Sequence, residues 1–275
     1  MIKYKTSSDC SLVILDNTNM YTKEIRQLLV VYKQRWNESL ANIIGVTSKI
    51  DNVKAGSTII IPEYLYSSIK HKSLYQVIVI PSINLLTIYD LRAAIINPTV
   101  KVTKDIEEAR QWLTTLPSIF TYDSETTGLE HPSKEEITMY SFGINETQAF
   151  VIINDDLEMQ EMVMEFLIGT NKTMIIHNAQ FDAKWIRYLT NQYPKNIEDS
   201  MLLAWTYLNH ANTSLAKVGL KQLASKVYKQ WAVSPDLFGI EHKYNPELAR
   251  YAGIDACATW FVWNEFHYKE NPCLK

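Results

Sequence analysis

The chain has 275 residues, of which 47% are hydrophobic, 21% charged and 11% aromatic, with only 8 Gly and 9 Pro. That length supports a buried core, and the composition excludes a disordered, collagen-like or low-complexity chain. The formal charge of -3 at pH 7 argues, at first sight, against a polyanionic partner, because nucleic-acid binders carry a surplus of Lys and Arg.

The total hides an asymmetry: residues 1–100 are net +4 and residues 101–275 net -7, so the acid is concentrated in the second part. Residues 1–95 are expected to form a small N-terminal α/β unit. Its elements are a helix from about Thr22 to Leu40 with apolar positions at Ile25, Leu28, Leu29 and Tyr32, and a short strand Thr58–Pro62 entered through Lys54-Ala-Gly. The segment Gly-x-x-Ile-x-Ile-Pro faintly resembles the end of a LysM-type module; the same apolar run also suits the core of a generic cap. Two further apolar stretches, Gln76–Ile80 and Leu85–Ile88, precede a link through Pro98.

Residues 96–275 are expected to form the second domain. Its elements are a helix Lys104–Leu116 with Ile106, Ala109, Leu113 and Leu116 on one stripe, a strand Ile119–Asp123, and a hairpin of Ile137–Ile144 and Gln148–Ile153. A helix Leu157–Leu167, a buried strand Thr173–Ile176 and a helix through Phe181 to Leu189 follow. Three more helices are expected near Asp199–Leu208, Leu215–Tyr228 and Pro246–His267. Strands early and helices late imply one mixed sheet flanked by helices. Cys10, Cys257 and Cys273 are too few and too far apart for a disulfide framework or a Cys-based zinc site, and read as reduced thiols. With no signal-peptide pattern and no long apolar run, a soluble cytoplasmic protein with no membrane partner is expected.

Three acidic motifs carry the chemistry. In Phe120-Thr-Tyr-Asp123-Ser-Glu125-Thr-Thr-Gly128-Leu129, strand alternation puts Asp123 and Glu125 on one side of the sheet. Two adjacent carboxylates repel unless a cation lies between them, and hard cations such as Mg²⁺ and Mn²⁺ take oxygen ligands of this kind. Alone, Asp-x-Glu is also how a solvated loop begins. His177-Asn178-Ala-Gln-Phe181-Asp182 follows a buried strand, where open α/β sheets collect ligands. Asn178 and Asp182, four apart, would share a helix face; Asn178 also suits an N-cap, whereas Asp182 lies too deep in the helix to cap it. Tyr251-Ala-Gly-Ile-Asp255 places a tyrosine and an acid at i and i+4 among small residues, and an acid on an apolar helix needs a partner or a metal.

Taken together, Asp-x-Glu, Asn-x-x-x-Asp and Tyr-x-x-x-Asp, in this order on a strand, a helix start and a late helix, resemble the motifs of the DEDDy 3′→5′ exonucleases. The resemblance covers roughly residues 101–268. The runs Phe120–Leu129, Glu198-Asp199-Ser-Met-Leu-Leu-Ala and Val218-Gly-Leu-Lys-Gln-Leu-Ala are most similar to the proofreading exonuclease domain of Pol I-type (family A) DNA polymerases, here without the polymerase domain. The resemblance implies a ribonuclease-H-like fold and hydrolysis of the last phosphodiester bond at a 3′ end by two Mg²⁺ or Mn²⁺ ions about 3.5–4 Å apart. Asp123 would bridge both ions, Glu125 and Asp255 would complete the nucleophile side, Asp182 would hold the second ion, and Tyr251 would orient the attacking water. Thr126, Thr127 and Leu129 would border the terminal nucleotide.

Other contacts remain open in the sequence. His177 and Asn178 are candidates for substrate contact, His177 also for a structural or backbone-contacting role, and Phe181 could stack on a base or belong to the core. Between Asp199 and Asp236 the chain has no acid and four lysines, Lys217, Lys221, Lys226 and Lys229. Lys217 and Lys221, placed on one helix face, suit a strand-tracking groove or a solvated surface. The expected partner is a single-stranded or frayed 3′ end of DNA, with RNA an alternative of the ribonuclease D kind, and a separate DNA polymerase subunit. A third reading makes the nuclease fold a platform for nucleic-acid binding or assembly. Assigning Asp123, Glu125, Asp182 and Asp255 to metal leaves the rest of the chain at +1, so binding to nucleic acid should depend on divalent ions.

Overall fold

In the computed structural model of the chain, the described residues are 12–15, 27–28, 44–47, 58–62, 76–80, 96–210, 217–225, 227–228 and 246–267. The chain divides into two units, Met1–Asn97 and Pro98–Lys275. In the first, β1 (Leu12–Leu15), β2 (Ile44–Thr47), β3 (Thr58–Pro62) and β4 (Gln76–Ile80) form an all-parallel sheet in the order β2-β1-β3-β4. Ile59, Ile60 and Ile61 are all fully buried, so both faces of β3 are covered, as parallel sheets require. The strand that suggested the end of a LysM-type module is thus a central strand, and the strand register makes β1, β2 and β4 its company. Of the expected Thr22–Leu40 helix, Gln27 and Leu28 are described and are helical; Leu85–Ile88 lies outside the described residues.

The second unit is built on a six-stranded mixed sheet in the order β10-β9-β6-β7-β8-β5. Its strands are β5 (Thr99–Thr103), β6 (Ile119–Thr126), β7 (Ile137–Asn145), β8 (Gln148–Ile153), β9 (Thr173–Ile176) and β10 (Ile197–Asp199). The helices are α1 (Ile106–Thr115), α2 (Leu157–Gly169), α3 (Ala179–Thr190), α4 (Ser200–His210), α5 (Leu220–Ala224) and α6 (Pro246–His267). β6, β7 and β8 form an antiparallel meander; β9 runs parallel to β6, β10 to β9, and β5 to β8. Helices start where the sequence offers a cap: the Asp105 carboxylate accepts the Glu108 N–H at 2.8 Å and the Asp156 carboxylate that of Met159 at 2.9 Å.

Three expectations need correction. β5 and β10 are strands that the apolar pattern does not announce, because β5 is largely exposed and β10 has only three residues. β6 continues past Asp123 to Thr126, so all of Asp-Ser-Glu is strand. Among the described residues of the Leu215–Tyr228 segment, only Leu220–Ala224 is helical, because Gly219 is extended at the helix entry.

The two sheet faces are packed differently. One carries Phe120, Tyr122, Tyr140, Phe142, Phe150 and Ile152 against α1, α2 and α3. The other packs Met139, Val151 and Ile153 against Leu248, Ala249 and Ala252 of α6. Two glycines set how closely α6 approaches: a Cβ at Gly143 would lie 2.7 Å from the Ala256 carbonyl oxygen, and one at Gly253 would run into the Val100 side chain. No described helix is long and apolar enough to cross a membrane.

Candidate active site

Because strand side chains alternate, Thr121, Asp123 and Glu125 of β6 share one face and Ser124 takes the other. Thr121, fully buried, ties that face together: its Oγ1 donates to the Ala256 carbonyl at 2.7 Å and accepts the Gly143 N–H at 3.1 Å. This links β6, β7 and α6 one residue beyond Asp255. As a result Asp123, Glu125 and Asp255 each bring a carboxylate oxygen within 4.8 Å of the others.

Such crowding is unfavourable for ionised carboxylates. Burial first, then the neighbouring charges of Asp182, Glu125 and Asp255, push the Asp123 carboxyl well above the usual range. Burial raises Glu125 to about 7 against the opposing pull of the Lys221 ammonium. That ammonium lies 4.7 Å from the centroid of the Tyr251 ring, a cation–π contact. Tyr251 is 6% exposed and sits one turn before Asp255. Burial, followed by the charges of Asp255, Glu125 and Asp123 and its hydrogen bond with Asp255, moves the phenol pKa further up, so the hydroxyl stays protonated.

Asp182 lies outside that cluster of three and is held from the opposite face of β6. It is 1% exposed, and its Oδ1 accepts both the Ser124 N–H at 3.0 Å and the Ser124 Oγ–H at 2.7 Å. Burial raises its carboxyl to about 7 although these hydrogen bonds pull it down. Asn178 does not share a helix face with Asp182, correcting the i,i+4 expectation: it stands before α3 in the left-handed region with φ 66°, exposed and making no side-chain cap. The cap comes from Asp199, whose carboxylate accepts the N–H groups of Asn178 at 3.2 Å, Ala179 at 2.9 Å, Met201 at 2.8 Å and Leu202 at 3.3 Å. One carboxylate therefore serves the starts of both α3 and α4, where helix dipoles favour negative charge.

His177 is a brace rather than a free substrate contact. Its Nε2 faces the Val218 carbonyl at 3.0 Å and so carries the proton, while Nδ1 meets Ser200 Oγ at 2.9 Å. Burial lowers its pKa, in keeping with the neutral ring. Phe181 is half-buried against the core with the Lys184 ammonium 5.0 Å from its ring centroid. The Thr126 hydroxyl donates to the Gly128 carbonyl at 2.6 Å, and that of Thr127 accepts the Glu136 N–H at 3.0 Å; both are used in shaping the loop. Leu129 at the loop tip is 81% exposed. Lys217 is exposed and precedes α5, so it does not share a helix face with Lys221, correcting that expectation. Lys226 and Lys229 lie outside the described residues. Cys257 is a free, fully buried thiol whose pKa burial raises, which suits a structural role; Cys10 and Cys273 are outside the described residues.

Sequence reasoning passed over Thr121, Ser124 and Asp199. The alternation that pairs Asp123 with Glu125 also includes Thr121, so that residue had a signal. Ser124 and Asp199 act on groups 58 and about 20 residues away, and no local pattern announces such partners.

The donor set suits a divalent metal. Three half-buried carboxylates in mutual contact distance are all hard oxygen donors, and a cation among them relieves the repulsion that raises Asp123. The sulfur and imidazole ligands of a zinc-type site are missing from this cluster. A family model described as 3′-5′ exonuclease matches residues 99–269. Among solved structures, the catalytic core of RRP6 from Trypanosoma brucei is similar with a TM-score of 0.51 and 14% identity, over 65% of this chain and 48% of that one. Brucella melitensis NrnC with bound Mg²⁺ gives 0.45 and 16% over 61% and 78%. Escherichia coli RNase D, an exoribonuclease involved in structured RNA processing, gives 0.45 and 12% over 62% and 44%. No curated protein sequence matches the chain. With three acidic motifs converging around β6, an interior strand of a six-stranded mixed sheet, and a family match over most of the second unit, the chain belongs to the DEDDy-type 3′-5′ exonucleases of ribonuclease-H-like fold.

Proposed function

We propose that this exonuclease removes nucleotides from the 3′ end of DNA, as a proofreading nuclease acting with a separate polymerase. The observation that carries the nuclease site is the convergence of Asp123, Glu125 and Asp255 within 4.8 Å beside Tyr251. The spelling of the motifs from Phe120 to Leu129 and from Glu198 to Ala204 supports DNA and a proofreading role. Residues 1–95 form a separate N-terminal unit in this reading, and residues 96–275 the nuclease.

Asp123, Glu125 and Asp255, with Asp182 on the opposite side of β6, would hold divalent cations, Mg²⁺ or Mn²⁺. When bound, that pair supplies Lewis-acid activation of water and charge stabilisation of the leaving 3′-oxygen. Tyr251, kept protonated, orients the attacking water by hydrogen bonding and takes no part as a base. Lys221, packed over Tyr251, adds positive charge where the scissile phosphate must sit. Leu129, exposed at the loop tip, wedges against the terminal base, while Thr126 and Thr127 hold the loop that presents it. Water adds to phosphorus, the P–O3′ bond breaks, the proton lost by the water ends on the departing 3′-oxygen of the shortened strand, and a nucleoside 5′-monophosphate is released.

The test uses 5′-labelled single-stranded DNA and RNA with and without Mg²⁺ or Mn²⁺, alongside Asp123→Ala. Metal-dependent shortening of DNA from the 3′ end, absent in the variant, is expected. A preference for RNA would overturn the DNA assignment alone, and binding without cleavage of either would overturn the catalytic one.

A further inference from the structure

β6 outruns its neighbour. The β6–β9 pairing ends at Thr121↔Ile175, yet β6 continues to Thr126, so backbone groups on that edge beyond Thr121 have no strand partner in β9. The chain leaving β9 turns into α3, and Asp182 in the first turn of α3 meets the overhang. There it accepts two hydrogen bonds from one residue, the Ser124 N–H at 3.0 Å and the Ser124 Oγ–H at 2.7 Å, both on Oδ1. Ser124 is 7% exposed and Asp182 1%, so water does not compete strongly for either group. A buried carboxylate with one oxygen clamped twice has a fixed plane, so the direction in which Oδ2 points is set as well.

We propose that Ser124 is a positioning residue: it fixes the orientation in which Asp182 meets the divalent-cation site, from the face of β6 opposite Asp123 and Glu125. This rests on the assignment of Asp182 to that site. The serine between the two acids is thereby part of the site's geometry rather than a spacer. Its side chain must be small enough for the packed face beside Tyr122 and must carry a hydroxyl, which Ser and Thr alone combine. Outer hydrogen-bond partners of metal ligands typically change metal affinity or activity by about 10- to 100-fold when removed.

The full chain is compared with Ser124→Ala, Ser124→Thr and Asp182→Ala. Mn²⁺ binding to the metal-free proteins is read from the electron paramagnetic resonance signal of free Mn²⁺, with melting curves taken alongside. The expected result is Mn²⁺ binding weakened about 10- to 100-fold in Ser124→Ala, measured well below its melting temperature, and close to wild type in Ser124→Thr. The Mn²⁺ concentration for half-maximal cleavage should shift in parallel. Ser124→Ala binding Mn²⁺ within about two-fold of wild type while Asp182→Ala is weakened would overturn the role of Ser124 alone. Equal weakening in folded Ser124→Thr and Ser124→Ala would show that the hydroxyl is not what matters, and overturn it too. Unchanged binding in Asp182→Ala would overturn the metal assignment of Asp182, and the positioning role with it.

Discussion

On the α6 side of β6, Asp123, Glu125 and Asp255 crowd within 4.8 Å, with Thr121 tying their strand to α6 and Tyr251 hydrogen-bonded to Asp255. On the α3 side a single carboxylate, Asp182, is more deeply buried but is met by two donors from Ser124. Both faces put acid where water is scarce, and both raise carboxyl pKa values, Glu125 and Asp182 each to about 7. One face leaves the like charges facing each other, so its resting arrangement favours a cation. The other satisfies its acid internally and holds it in one place. The contrast distinguishes a cluster built to recruit charge from a group built to be aimed.

The sharpest way to break this contrast is Asp123→Asn. Cleavage should fall by about 10³-fold or more, the scale on which losing a group at the reacting centre is felt. The metal-free protein should at the same time become more stable, because a repelling charge has been removed. Melting in EDTA checks the second half, and an Asn variant that melts lower than wild type would show that repulsion does not dominate this face. Tyr251→Phe should slow cleavage by roughly 10- to 100-fold without abolishing it, as expected for a group that positions rather than reacts; a rate equal to wild type in single-turnover assays would remove Tyr251 from the site.

Gly253→Ala tests whether close helix approach assembles the cluster. The new methyl meets Val100, so α6 or β5 must move, with a stability loss of about 1–3 kcal/mol measured by urea unfolding. Cleavage should fall too, since Asp255 rides on the same helix. The smallest effect expected is on pH. Glu125 and Asp182 have folded-state pKa values raised from 4.5 and 3.8 to about 7, so their protons are held more tightly in the folded chain. Their contribution is therefore fully present below about pH 4 and is lost as the pH rises through about 7. In EDTA the melting temperature should drop between pH 5 and pH 8, by roughly 2–4 °C for each 1 kcal/mol of that contribution lost. With Mn²⁺ the trend should reverse, because the cation replaces protons on the same oxygens; a melting temperature that rises with pH in EDTA would contradict the raised values.

Much of the second unit was legible from local pattern. Ile106, Ala109 and Leu113 at helical spacing gave α1, and apolar runs separated by Asn145-Glu146-Thr147 gave the hairpin of β7 and β8. Period-2 alternation placed Asp123 with Glu125 before any fold was known. β5 escaped because its alternation, Val100 and Val102 between polar residues, spans only five positions, four of them exposed or half-exposed; its place depends on pairing with β8. Asn178 was misplaced for a related reason. Its spacing to Asp182 fits a helix, but the Asp199 carboxylate, supplied from β10, captures its N–H and lets the helix begin one residue later.

The sequence by itself determined which residues are the candidates for the chemistry: hard oxygen donors on strand and helix patterns, in an order that few other functions use. Side-chain type and local periodicity are properties of neighbouring residues, so they survive without tertiary information. Only the tertiary structure decided which acids share space, that both ring nitrogens of His177 meet partners in Val218 and Ser200, that Phe181 packs partly against the core, and that Ser124 and Thr121 organise opposite faces of one strand. Those outcomes depend on contacts between residues up to 135 positions apart, such as Thr121 with Ala256. Hydrogen bonds and charge repulsion act through space over a few ångströms, and the chain reveals such distances only when the sheet and its helices have closed around them.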